Sequence, residues 1–186
     1  RKICVFDGKE AFVGGFNVGD EYIGKSKKFG HWQDTHIKVK GSAVGSLQWR
    51  FHLDWRFASK QDINGCQSFL TEAEGSSNIG MQIVTSGPDS KWPNIKDGYL
   101  RMITNAKDKV YIMTPYFIPD DSILESLRVA GLSGVDVRVM IPNKPDHIFV
   151  FWASLSYIGE LLPAGVKFYT YEKGFLHSKV VTHLYN

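Results

Sequence analysis

The second half of the chain switches repeatedly between two hydrophobic periods. Val135, Val137, Val139 and Ile141 recur at every second position, the spacing of a strand with one buried face. Just upstream, Ile123, Leu127 and Ala130 recur at helical spacing behind Ser122 and Glu125, which have the form of a capping box. The same alternation predicts strands over 81–84, 110–114 and 166–171, and a further strand carrying His177. Helices are predicted over 96–106 and 147–162, the latter with Phe151, Leu155, Ile158 and Leu162 on its inner face. Phe149, Phe151, Trp152 and Tyr157 share that helix and are assigned to core packing rather than to a membrane-facing aromatic patch.

The first half is shorter in pattern. Ile3–Phe6 and Ala11–Val13 predict two strands joined by a turn at Asp7-Gly8. Residues 25–30 form a basic, glycine-bounded loop, and His36–Lys40 alternates as a strand. Ser42 is placed to cap a helix with Val44, Leu47, Phe51 and Trp55 on one side. Residues 60–79 are polar with little periodicity and are taken as a linker between an N-terminal part, 1–59, and a C-terminal part, 80–186. Strands alternating with helices predict the α/β class, with mixed sheets flanked by helices.

Composition narrows this only a little. A net charge of +3 is compatible with an anionic lipid or substrate without demanding one. Two cysteines, Cys4 and Cys66, give no disulfide framework, and Cys4 sits in an apolar run as a small buried residue would. The longest uncharged apolar stretch, 147–159, is shorter than the roughly 20 residues needed to cross a bilayer. On that basis the 186-residue piece is expected to be soluble.

The chemistry concentrates at the two ends. Gly174-Phe175-Leu176-His177-Ser178-Lys179 sets an imidazole and an ammonium two residues apart. On a strand both would reach one face, a combination suited to a phosphate ester. At the other end Lys2 precedes an apolar run, Asp7 follows five positions later, and Gly14-Gly15-Phe16-Asn17 comes next. Gly14 and Gly15 form a tight turn or a close approach to phosphate, with Asn17 as donor. His147 lies where a strand gives way to a helix, a common lining of α/β sites.

Lys-x4-Asp, then Gly-Gly-x-Asn, then a remote His-x-Lys, resembles the phospholipase D superfamily, whose signature is His-x-Lys-x4-Asp used twice. GGFNVGDEY at 14–22, WQDTH at 32–36, TPYFIPDDS at 114–122, VDVRVMIPNKPDH at 135–147 and WASLSYIGELL at 152–162 resemble the bacterial cardiolipin synthases within it. The family's first histidine would stand before Arg1, and its second aspartate falls on Leu184. The chain is therefore expected to run from within the first motif to within the second.

The resemblance implies a sandwich of two related repeats. It implies a membrane enzyme that joins two phosphatidylglycerol molecules into cardiolipin, releases glycerol and passes through a phosphatidyl-histidine. His177, Lys179, Lys2, Asp7 and Asn17 would serve catalysis, with His177 as acid and base. Asp34 would orient the first histidine, and Gly14, Gly15 and His147 would contact substrate. No metal or other cofactor and no nucleic acid are implied. Two alternatives stay open: a phosphodiesterase hydrolysing lipid or nucleic acid, and a non-catalytic domain that keeps only the fold.

Overall fold

A computed structural model describes residues 2–61, 79–88 and 90–184. Most of the expected linker, and Cys66, lie outside the described residues. The strands are β1 (Ile3–Phe6), β2 (Glu10–Gly14), β3 (His31–Gln33), β4 (His36–Lys40), β5 (Lys109–Met113), β6 (Asp136–Pro142), β7 (Lys167–Tyr171), β8 (Gly174–Leu176) and β9 (Val180–Leu184). The helices are α1 (Ala43–Ser59), α2 (Asn94–Asn105), α3 (Asp121–Leu132) and α4 (Ile148–Leu161). They form two compact units that do not follow chain order: Arg1–Phe16 with His36–Val84, and Asn17–Thr35 with Thr85–Asn186.

In the first unit β1, β2 and β4 make an antiparallel sheet in that order. Asp7 and Gly8 turn the chain with φ of 53° and 66°. Two positive values match the twist of a hairpin, and Asp and Gly tolerate them best. Ala11 and Val39 face Val44 and Leu47 of α1 to form the core. Cys4, expected to be buried, is exposed. Ile3 and Val5 pack on the core, so their neighbour Cys4 must point the other way.

Three further expectations fail here. Ser42 precedes α1, but its side chain makes no capping bond, and its backbone is already helical. Phe51 and Trp55 are exposed and stack on each other, with ring centroids 6.2 Å apart. No strand forms over 81–84: Ile83 packs on the core of this unit, while Met81 and Val84 stay exposed.

The second unit carries the alternating half. Its sheet runs β7-β6-β5-β9, with β5, β6 and β7 parallel and β9 antiparallel to β5. Parallel neighbours need long crossovers, and α3 and α4 supply them. Val110, Val137, Val139 and Ile141 are buried against Ile103, Leu127 and Leu161 from the helices. The fold is α/β with a mixed sheet, as the periodicity predicts.

Two local corrections concern the helices. Asp120, not Ser122, caps α3, its carboxylate accepting from the Ile123 N–H. Ser122 donates to that same carboxylate, and Glu125 pairs with Arg128 instead of reaching back. On α4 the inner face is Phe151, Ser154, Ile158 and Leu161, while Leu155 and Leu162 are exposed. The Ser154 hydroxyl is satisfied by the Val150 carbonyl, so a serine can sit where the sequence suggests leucine.

Three strands also converge on Asp136. Arg138 and Lys167 bond its two oxygens at 2.8 Å each, and the Tyr111 hydroxyl donates at 2.9 Å. Arg138, then Lys167, hold the carboxyl well below its ordinary value of 3.8. A carboxyl depressed by folding adds stability above that value and loses it as pH falls through the folded one. Asp136→Asn should therefore melt lower than wild type at pH 7, and the gap should close as the pH drops below 3.8. Thermal melts of both proteins across that range provide the check, and a gap independent of pH would contradict it.

Candidate active site

The site begins with a parallel strand pair. His31, Trp32 and Gln33 of β3 lie opposite Gly174, Phe175 and Leu176 of β8. The ladder continues one step, with the His177 N–H donating to the Gln33 carbonyl at 2.8 Å. Parallel register then brings the next residues together at the same sequence offset. Asp34 meets His177, with Nδ1 2.7 Å from Oδ2, and the Thr35 hydroxyl donates to that of Ser178 at 3.1 Å.

The Asp34 side chain is 6% exposed and that of His177 15%. A buried carboxylate needs partners. Besides the imidazole, Asp34 accepts the Thr35 N–H at 2.8 Å and lies 3.5 Å from the Trp32 indole nitrogen. Trp32, Tyr22 and Phe175 surround the imidazole, with ring centroids 5.1, 6.0 and 6.2 Å away. With Nδ1 committed to the carboxylate, ring orientation and tautomer are set, and Nε2 is the nitrogen left for chemistry.

The sequence reading differs from this in two respects. Asp34, expected to orient the family's first histidine, instead contacts His177. Residues 177–179 are not on a strand but in the break between β8 and β9. The cause is a change of partner: β8 pairs with β3 and β9 with β5, so the backbone must leave one ladder before joining the next. Lys179 nevertheless stays beside His177, because its Nζ donates to the His177 carbonyl at 2.7 Å.

The remaining candidates are scattered. Asn17 is exposed at the start of the 17–35 segment. Lys2, Asp7, Gly14 and Gly15 belong to the first unit, where Asp7 makes the hairpin turn and Gly14 ends β2 opposite His36. His36 is exposed and meets Phe16 edge-on. His36-Ile37-Lys38 repeats the His-x-Lys spacing on a real strand, yet Lys38 is paired with Glu10 at 2.8 Å. His147 sits exposed just before α4, its ring 3.8 Å from Asp146.

Leu184, at the position of the family's second aspartate, pairs with Lys109 in β9. Tyr116 and Asp146, not singled out from sequence, share a hydrogen bond of 2.5 Å near the C-terminal ends of β5 and β6. Burial first, and then this bond, raise the Tyr116 phenol above its ordinary value of 10.0, so it acts as a donor. Their signal was position, since loops at those strand ends commonly line α/β sites.

A carboxylate-held imidazole with an ammonium beside it, at the end of the β3–β8 pair, is suited to acid–base chemistry on a phosphate ester. Residues 99–183 match the family described as "Cardiolipin synthase, PLD-like domain". Over 182 residues the chain is 56% identical to the major cardiolipin synthase ClsA of Bacillus subtilis (strain 168). It is 55% identical to a cardiolipin synthase 2 of Staphylococcus epidermidis and to a cardiolipin synthase of Staphylococcus aureus (strain N315). These matches cover 97% of the chain but only 37–38% of the relatives' own length.

Proposed function

We propose that the chain is part of a phosphatidyltransferase that makes cardiolipin from two phosphatidylglycerol molecules. The observation that carries this reading is the Asp34–His177 contact of 2.7 Å beside Lys179. In the proposed reaction a second imidazole, from the longer protein, attacks the phosphorus of the first lipid. A P–N bond forms, the P–O bond to glycerol breaks, and His177 protonates the leaving oxygen through Nε2. The hydroxyl of the second lipid then gives its proton to His177 and attacks phosphorus, and the P–N bond breaks. Lys179 and Asn17 balance charge on the phosphoryl oxygens. Asp34 keeps His177 in place, and His147 meets the head group.

A lipid substrate also requires contact with a membrane surface. No helix among the described residues is long and apolar enough to cross one. The outer face of α4 is suited to lying on one: Phe149 is 86% and Trp152 62% exposed, contrary to the core placement expected for them. Phe151 and Tyr157 do pack on the core. Aromatic side chains on an uncharged stretch such as 147–159 favour the bilayer boundary. On this reading the longer protein works at the cell membrane.

The test uses phosphatidylglycerol vesicles and two samples, the longer protein and the 186-residue chain. The longer protein should yield cardiolipin and glycerol in equal amounts. The chain alone should yield neither, because double displacement needs two imidazoles on one phosphorus. Phosphatidic acid as the main product would point to hydrolysis instead, and cardiolipin from the chain alone would refute the two-histidine scheme.

A further inference from the structure

Beside the His177 stretch, a groove of about 490 Å³ opens in the second unit between α2, the start of α3 and the ends of β5 and β9. That volume lies in the range of sites for small ligands, about 300–1,000 Å³. Its walls are apolar, with Ile112, Phe117, Ile123 and Val181 among them. At one rim Lys96 and Asp120 are paired with each other at 2.7 Å. At another lies Lys179, whose Nζ is bonded to the His177 carbonyl.

We infer that this groove takes one acyl chain of the phospholipid whose phosphate meets His177 and Lys179, an inference that rests on the reading above. Charge and shape both point to such an occupant. Most of the groove's lining is apolar, and Lys179, two residues after His177, brings a cation to it. A ligand filling it must therefore be hydrocarbon at one end and anionic at the other. A peptide or a nucleic acid strand would have to bury amide or phosphate groups against these apolar walls unpaired, which is costly. Methylenes buried there gain the full transfer energy.

Short-chain phosphatidylglycerols that stay monomeric in solution provide the test. The 186-residue chain is titrated with dibutanoyl and dihexanoyl phosphatidylglycerol and with glycerophosphoglycerol, which has the head group alone. Methyl signals of Ile123 and Met113 and the His177 ring are followed by NMR. Affinity should rise by about fourfold for each methylene buried, with the Ile123 and Met113 methyls shifting. Ile123→Trp fills the groove and should abolish the dependence on chain length while leaving glycerophosphoglycerol binding unchanged. Should that variant misfold, Ile118→Trp does the same from a groove residue that is 49% exposed.

Equal affinity for all three ligands, or methyl shifts confined to α4, would overturn the groove assignment. The His177 ring separates this from the parent reading. A ring that responds to glycerophosphoglycerol without chain-length dependence sinks the groove alone. Chain-length dependence with a silent His177 ring keeps an acyl groove and counts against the phosphatidyl site.

Discussion

Replacing His177 by alanine in the complete enzyme should abolish cardiolipin formation while the fold survives. The imidazole is the proposed proton carrier for both half-reactions, so its loss stops the departure of glycerol and the arrival of the second lipid alike. Two neighbours should give graded losses. Lys179→Ala removes a charge from the transition state, typically a factor of about 10²–10³. Asp34→Asn keeps the shape but offers the imidazole a poorer orienting partner. The comparable change in a serine protease triad costs about 10⁴. Glycerol release and cardiolipin yield from labelled phosphatidylglycerol measure all three. Turnover of His177→Ala within tenfold of wild type would end the assignment. Losses confined to KM would recast Lys179 and Asp34 as binding groups.

The ordering of these effects follows from geometry that was only half visible in the sequence. His177, Lys179 and Asp34 each stood out locally: two by their spacing, one by its place behind the Gly-Gly-x-Asn stretch. Their arrangement did not. Asp34 was expected to serve a histidine outside the chain, yet the described histidine it holds is His177. That contact comes from the parallel register of β3 on β8, between segments far apart in sequence. Periodicity says which face of a strand is buried but not which strand will pair with it.

The same distinction explains the rest. β5, β6 and the inner face of α3 were legible because their apolar positions keep one strict period. The face of α4 was not, because an almost wholly apolar helix offers several equivalent faces, and only packing selects the one with Ser154. Nothing in the local pattern marks Tyr22, Trp32 and Phe175 as neighbours of one another. They become the walls around an imidazole only once β3 and β8 are side by side.

That register hangs on one glycine, and Gly174→Ala should be among the most damaging small substitutions in the described residues. A Cβ on Gly174 would lie 2.0 Å from the His31 carbonyl oxygen and 2.7 Å from its nitrogen. Both are backbone atoms of the paired strand, and neither can rotate away as a side chain would. The strands must part at His31↔Gly174, the first rung of the ladder that ends with Asp34 on His177. Overpacking usually costs about 1–3 kcal/mol, and a clash of backbone on backbone belongs at the upper end. At about 2–4 °C per kcal/mol for a chain of this size, the melting temperature should fall by roughly 6–12 °C. Gly98→Ala is the matched control. Gly98 lies in α2, and a Cβ there would meet nothing within 4 Å. Alanine relieves the entropic cost of helical glycine, so this variant should gain about 0.5–1 kcal/mol. Melting curves of the two variants, with the His177 ring signals as a local probe, decide the matter. If Gly174→Ala melts with wild type and leaves the His177 signals in place, β3 and β8 do not hold the imidazole, and another origin must be found for its contact with Asp34.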